Sequence, residues 1–348
     1  MSQLPTQMKG LVLTHHGDLD ALSIRSDIPV PVPGATDVVI KVAAAGVNNT
    51  DINTRNGWYT KGDVDDDVES WNGAPFALPR IQGADVCGYI VAVGSDVDTA
   101  RIGERVIIEP CLTEVDGVEL SAPWYFGSEC DGGFAEYTKV AEKHALAVNT
   151  SMSDTELASF PCSYSTAENM LHRANVVEGD RVLITGASGG VGSAAVQLAK
   201  ARGATVVAIT SESKQEALRT LGADDTLTRD CNWLAYAKDK PFDVVIDLVA
   251  GPRWPELLDM MKPFGRYAVS GAIAGHTVPL DVRTLYLKDL QLLGCTVLSE
   301  GVFANLVKRI EKGDISALVS KTYPIDEIKQ AQIDFEQKAH IGKLVLTF

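Results

Sequence analysis

The segment Val182-Leu183-Ile184-Thr185-Gly186-Ala187-Ser188-Gly189-Gly190-Val191-Gly192 constrains this chain more than any other. An apolar, β-prone run enters four glycines within seven positions and emerges directly into the Ala-rich stretch Ser193–Arg202. The chain must turn sharply there and then start a helix, because glycine alone adopts such turns without steric cost. The register Ala187-x-Gly189-x-x-Gly192 follows G-x-G-x-x-G spacing with alanine in the first place. Glycine at 189 lets the backbone approach a pyrophosphate, glycine at 192 seats the helix against the strand, and the first-turn N–H groups favour negative charge. Ala187, Ser188, Gly189, Gly190, Val191 and Gly192 are therefore the expected dinucleotide-binding residues.

A second strand, Thr205–Thr210, follows at the expected distance, and at its end an NAD site presents a carboxylate to the ribose 2′-hydroxyl. Ser211 stands there instead. A carboxylate would repel a 2′-phosphate, whereas Ser211, Lys214 and Arg229 can hydrogen-bond or neutralise one. The expected cofactor is NADP(H), with Glu212, one residue on, as the acid that a shift of register would restore.

The rhythm around this turn sets the domain plan. Strands at Arg181–Thr185, Thr205–Thr210 and Asp243–Leu248 alternate with helices at Ser193–Arg202 and Lys214–Leu221, and further strands are expected at Gly265–Ser270 and Leu290–Val297. Alternation of this kind predicts parallel βαβ units. The first 148 residues read differently: short runs such as Val38–Val42 and Arg105–Ile108 between Gly, Pro and Asp signals predict a barrel or sandwich. After Leu290–Val297 a helix (Phe303–Lys312) and a strand (Leu344–Thr347) remain, with no further repeat. A chain of 348 residues suits two such domains. The Asp-rich segment Gly62–Glu69 lies in a long loop reaching about Pro79, either a solvated acidic loop or a lid.

Thirty-one Lys and Arg against 46 Asp and Glu give a net charge of −15, and the basic residues do not cluster. Nucleic acid and anionic membrane surfaces are poor partners for such a chain. No apolar run is long enough to span a bilayer, and the amino terminus lacks the pattern of an export signal. Six widely spaced cysteines without a C-x-x-C pair suit a reducing cytoplasm. A small-molecule substrate is the expected partner.

The glycine turn also reads Thr185-Gly186-x-x-x-Gly190-x-Gly192, the fingerprint of short-chain dehydrogenases. Their Tyr-x-x-x-Lys pair is matched only by Tyr236 and Lys240, and their nucleotide fold begins near the amino terminus, so that reading is set aside. Over nearly its whole length the chain resembles instead the medium-chain dehydrogenase/reductase family, in its quinone-oxidoreductase-like branch. The carrying segments are Ala45-Gly46-Val47-Asn48-Asn49-Thr50-Asp51, Pro79–Gly88 with Val93-Gly94, Gly103–Val106, Asp131–Tyr137, the glycine turn and Gly342–Leu346. The resemblance implies an α/β protein: a GroES-like β-rich catalytic domain over 1–148, completed by 299–348, and a Rossmann doubly wound NADP(H)-binding domain over 149–298. It also implies a homodimer joined through the last Rossmann strand, near Leu290–Val297.

Zinc alcohol dehydrogenases of this family take metal ligands from three places that correspond here to Asn48, Ala84 and Cys162. Asparagine is a poor zinc ligand and alanine is none, and zinc needs three sulfur, nitrogen or carboxylate donors. The closely spaced cysteines of the structural-zinc lobe are absent too, leaving Cys111 and Cys130 between Pro110 and Asp131. A site without metal favours an acceptor that is already activated, a quinone, enone or enal, because hydrogen-bond donors can stabilise the enolate left by hydride addition. The resemblance gives Asn48 a place beside the nicotinamide or the substrate oxygen and makes Tyr59 a donor to the enolate. Thr166 and Lys343 match cofactor-contacting residues, and Gly271 and Ala272 follow a strand end where backbone can approach the nicotinamide. Two rival readings remain: a zinc alcohol dehydrogenase with atypical ligands, and a non-catalytic relative that kept the nucleotide fold.

Overall fold

The computed structural model describes residues 4–59 and 77–348. The chain divides into two compact units, one formed by Met1–Cys162, Ala317–Ala339 and Lys343–Phe348, the other by Ser163–Ser316 and His340–Gly342. The acidic loop expected over 61–79 falls almost wholly outside the described residues.

The first unit is β-rich. Its spine is the 11-residue strand Asp37–Val47, where Val38, Val39 and Ile40 are β-branched and fully buried. Against it lie Cys87–Val93 and Tyr137–Ala141, both antiparallel, and the carboxyl-terminal strand Lys343–Thr347, also antiparallel. The seven-stranded sheet continues to Arg105–Ile108 and Ala145–Ala147 on one side and Val319–Pro324 on the other. A three-stranded sheet adds Leu22–Pro29, Gln7–Leu13 and Arg80–Ile81, and Cys111–Val115 pairs with Val118–Tyr125 as a separate hairpin. Leu11, Ile40, Val86, Phe126, Phe134, Leu344 and Leu346 belong to the core beneath these sheets. The register Leu344↔Val47 sets the start of the last strand beside the residue that follows Val47. The carboxyl terminus is thereby built into the site described below.

The second unit is a six-stranded, wholly parallel sheet in the spatial order Asp225–Thr228, Thr205–Thr210, Arg181–Ile184, Phe242–Asp247, Met261–Val269, Gln291–Gly294. Counted along the chain this is third, second, first, fourth, fifth, sixth, the doubly wound order whose direction reverses beside the first strand. The helix Gly190–Lys200 buries Ala194, Ala195, Val196, Leu198 and Ala199, matching its Ala-rich face.

The compact units divide at Cys162 and Ser316, whereas the sequence reading placed the boundaries at 148 and 298. Repeat counting stops at the last strand, but the helix Val302–Lys312 buries Val302, Phe303, Leu306 and Ile310, and Arg309 faces the buried Glu168. The backbone of Ser316 is then held at both ends: its N–H donates to Gln197 Oε1 (2.8 Å) and its carbonyl accepts from Tyr164 Oη (2.7 Å).

In the glycine turn, Gly186 has φ +57°, and a Cβ on Gly192 would lie 2.3 Å from the Gly186 carbonyl oxygen and 2.6 Å from Ala187 Cα. A Cβ on Gly189 would meet nothing nearer than 3.5 Å. Gly192→Ala should therefore cost about 2 kcal/mol of stability by overpacking against backbone. Gly189→Ser, which keeps a good helix cap, should change stability by less than about 0.5 kcal/mol while weakening dinucleotide binding at least tenfold. Denaturant unfolding and a binding titration test this; equal stability losses at the two positions would contradict it.

Candidate active site

The strand Arg181–Ile184 delivers the chain into a turn whose ends are pinned from below. Thr185 Oγ1 donates to Asp247 Oδ1 (2.5 Å) and accepts from the N–H of Leu248 (2.9 Å), while Tyr267 Oη donates to Asp247 Oδ2 (2.6 Å). Asp247 is thus a structural clamp between two strand ends. Above it, Gly189 caps the helix Gly190–Lys200, and the first-turn N–H groups have no intrahelical acceptor. Gly189 leaves room for an incoming group and Gly192 seats the helix close behind, so these residues fit a dinucleotide pyrophosphate.

Ser211 follows the strand Thr205–Thr210 directly and begins the 3₁₀ turn Glu212–Lys214. Lys214 Nζ donates to the carbonyl of His340 (2.8 Å), and burial together with the nearby Arg229 charge lowers its pKa. The Arg229 charge is thus felt at Lys214, three residues along the chain from Ser211. Gly271 and Ala272 follow the end of Met261–Val269, on the same carboxyl-terminal edge of the sheet. A Cβ on Gly271 would lie 2.8 Å from the Leu248 carbonyl oxygen, so the protein's own packing already requires glycine there. Thr166 is half-buried in the helix Pro161–Arg173.

The first unit holds the remaining predicted residues. Asn48 caps the helix Asn49–Arg55 reciprocally with Asp51: the Asn48 N–H donates to Asp51 Oδ2 (2.7 Å). Asn48 Nδ2 donates to Asp85 Oδ2 (2.8 Å), and Asn48 Oδ1 accepts from Lys343 Nζ (2.5 Å). Lys343 Nζ also lies 2.7 Å from Asp85 Oδ2, with side-chain exposures of 2% and 0%. The other Asp85 oxygen accepts from the backbone N–H of Cys162. Three segments far apart in sequence thus meet on one carboxylate. Lys343, expected at the cofactor, contacts Asp85 and Asn48 within the first unit. Asn48, expected to face substrate or nicotinamide, has both ends of its amide engaged in the same ring.

Around this ring, burial raises the carboxyl of Asp51 to about 7 against the opposing effects of the Asn48 N–H and the Lys343 charge. Burial pushes the Cys162 thiol to about 12, and Tyr125 Oη lies 3.0 Å from its sulfur. Burial likewise raises Tyr59, whose hydroxyl donates to Thr50 Oγ1 and accepts from Asn53 Nδ2, each at 3.3 Å. Asp85, Asp51 and Tyr125 were not singled out by sequence reasoning. Asp85 stands inside a motif used for recognition, yet nothing local to it signals a lysine 258 residues away.

A catalytic zinc does not fit this donor set. Ala84 offers no ligand and Asn48 Oδ1 is taken by an ammonium, which leaves Cys162 as the one zinc-ligand side chain of the three. Among the described residues no three His, Cys, Asp or Glu side chains converge to hold a metal ion.

Because Asp51 binds its proton more tightly folded than unfolded, stability falls as pH rises from about 4 to about 7 and stays lowered above that. Asp51→Asn keeps the cap and removes the ionisation. It should raise Tm clearly at pH 8 and less at pH 5; an equal rise at both would contradict the assignment.

An alcohol dehydrogenase GroES-like domain model matches residues 34–150, and a zinc-binding dehydrogenase model matches residues 190–312. The quinone oxidoreductase of Homo sapiens is 27% identical over 353 residues, covering 97% of each chain. The NADPH-dependent alkenal/one oxidoreductase, chloroplastic, of Arabidopsis thaliana is 30% identical over 350 residues, covering 99% of this chain and 81% of that one. Among solved structures, a putative alcohol dehydrogenase from Sinorhizobium meliloti 1021 superposes with a TM-score of 0.93 at 45% identity, covering 100% of this chain and 98% of that one. With matched domains in the family's order, a β-rich unit, a doubly wound parallel sheet and a donor set unsuited to zinc, the chain belongs to the medium-chain dehydrogenase/reductase superfamily, in its quinone-oxidoreductase-like, zinc-independent branch.

Proposed function

We propose that this protein is an NADP(H)-dependent reductase that transfers hydride to an activated carbonyl or alkene, an enal, enone or quinone, without zinc. The observation that carries the reading is the buried ring of Lys343, Asn48 and Asp85 where zinc-dependent relatives place ligands. Without a Lewis acid an isolated carbonyl is hard to polarise, whereas a conjugated one spreads the incoming charge into an enolate that hydrogen-bond donors can hold. The names of the quinone oxidoreductase and of the alkenal/one oxidoreductase point to the same class of acceptor.

Bound in its reduced form, the dinucleotide would supply a hydride, which carries both electrons of the reduction. The chain's part is to bind and orient it. The Ala187–Gly192 turn receives the pyrophosphate, Ser211, Lys214 and Arg229 receive the 2′-phosphate, and Thr166, Gly271 and Ala272 border the nicotinamide. Tyr59 donates a proton to the enolate, its hydroxyl being held by Thr50 and Asn53. Asn48 orients the reacting groups through the ring it shares with Lys343. A non-catalytic role has no specific observation in its favour.

The partner on the second unit is another copy of the chain. The edge strand Gln291–Gly294 pairs on one side only, and Phe264, Ile273, Val282, Tyr286 and Leu287 expose apolar side chains nearby, Leu287 to 70%. An unpaired strand edge flanked by apolar surface calls for a partner, and a two-fold axis lets two such edges pair. No helix among the described residues is long and apolar enough to cross a membrane; six widely spaced cysteines without a C-x-x-C pair support placement in the cytoplasm.

Two outcomes are expected. Lys214→Glu should lower kcat/KM for NADPH at least tenfold while leaving NADH within threefold; an unchanged cofactor ratio removes the phosphate clamp. Light scattering should find a dimer at micromolar concentration and a monomer for the Tyr286→Asp/Leu287→Asp double variant; a monomeric wild type would contradict the edge pairing.

A further inference from the structure

We propose that Arg253 is the positioning residue of cofactor selectivity, a clamp that holds the turn 228–231 so that Arg229 meets the 2′-phosphate of the dinucleotide. The inference rests on the NADP(H) reading above and names the group that sets its geometry.

Strand register brings the residues concerned together. Thr205–Thr210 and Asp225–Thr228 run parallel with Thr210 opposite Thr228, so Ser211 and Arg229 leave the same sheet edge from neighbouring strands. The Arg229 charge is felt at Lys214, in the 3₁₀ turn that follows Ser211. Arg229 and Asp230 are exposed, and an arginine on a surface turn ordinarily samples many conformers.

This turn is held from several sides. Carbonyls in an exposed turn can be left to water, yet Trp233 Nε1 donates to the Thr228 carbonyl (3.0 Å), and Arg253 donates to the carbonyls of Arg229 and Cys231, the latter at 3.3 Å. The guanidinium is itself fixed: Nε and Nη2 each donate to the Glu256 carboxylate at 2.7 Å, and its central carbon lies 3.4 Å from the centre of the Trp233 ring. Four of its five N–H donors are used in this way, so Arg253 acts through the turn. The Asp230 charge also acts on Arg253, which offsets an acid that would oppose a phosphate at Arg229.

The clamp is continuous with the floor of the glycine turn. Trp254, next to Arg253, is buried, and its Nε1 donates to Tyr267 Oη (2.8 Å). Tyr267 donates to Asp247, the carboxylate that also holds Thr185 where the chain enters the glycine turn. A dinucleotide with a 2′-phosphate presents two anionic groups whose separation its adenosine sets. The bonds running from Thr185 through Asp247, Tyr267 and Trp254 to Arg253 and the Arg229 backbone fix the two receiving points against each other. Preorganisation of this kind lowers the ordering cost of binding. The apolar core accounts for the burial of Trp233 and Trp254. It gives no reason for a guanidinium to hold the backbone of an exposed arginine.

The test titrates NADPH and NADH into wild type, Arg253→Met and Arg253→Lys, following nicotinamide fluorescence, and measures the Tm of each without cofactor to establish that it is folded. Arg253→Met should weaken NADPH about tenfold and leave NADH within about twofold, because NADH has no 2′-phosphate for Arg229 to meet. Should the Met variant not fold, Arg253→Lys takes its place: it keeps the cation and loses the fork, so NADPH should weaken about threefold with NADH unchanged. A folded variant that keeps the wild-type ratio of the two affinities overturns this inference alone. So does one that loses both cofactors equally, which makes Arg253 a residue of the fold. A wild type that binds NADPH no tighter than NADH overturns the NADP(H) reading and this inference with it.

Discussion

A lysine ammonium and an aspartate carboxylate, 2.7 Å apart and almost sealed from water, join distant segments of the β-rich unit. Lys343 arrives on the last strand of the chain, Asp85 on the segment before Cys87–Val93, and Asn48 at the turn from the long central strand into the helix Asn49–Arg55. Antiparallel pairing of Lys343–Thr347 with Asp37–Val47 brings the ammonium to Asn48, and the absent Cβ of Gly46 admits the carboxylate. Strand register, a glycine and a helix cap therefore act on the same few ångströms. The same helix is tied to the tail once more, by Arg55 Nε donating to Gln332 Oε1 (2.9 Å), so the carboxyl terminus braces the candidate site from two directions.

This arrangement bears on chemistry because of what it displaces. The family's zinc enzymes gather neutral or anionic ligands around a dication; here alanine and asparagine stand in two of those places, and the asparagine is bonded to Lys343. A donor set of this kind suits the proposed acceptors, whose conjugation already disperses charge. Burial, to which the nearby Asp85 charge adds, holds Asp51 protonated well above the usual carboxylate range.

The legibility of the molecule in its sequence followed the range of the interactions concerned. The nucleotide turn was readable because everything that makes it, from Val182 to the helix ending at Lys200, is contiguous and its glycines are dictated by backbone contacts a few residues away. The same is true of Val38–Ile40 and of the alternating βα order. Asp225–Thr228 was missed because a strand of Asp, Thr, Leu and Thr at the sheet edge carries no apolar pattern, and Val319–Pro324 because Ser, Lys and Thr occupy its exposed positions. The domain boundaries moved because Val302–Lys312 resembles a tail helix in sequence and declares its allegiance only through what it buries. Lys343 was recognised as important from its motif, but its partners lie 258 and 295 residues away, a distance over which one sequence says nothing about contact. Asn48 was legible as a functional position and illegible as a member of a ring.

The central claim is that the proposed reduction needs no metal ion, because the donor set at Asn48, Ala84 and Cys162 does not suit one. The most direct measurement is enone-dependent NADPH oxidation by enzyme exhaustively dialysed against a strong chelator, with bound metal quantified by elemental analysis before and after. The account predicts full turnover at a metal content far below one per chain, unaltered by added zinc. Turnover that disappears with the metal and returns in proportion to zinc bound would contradict it.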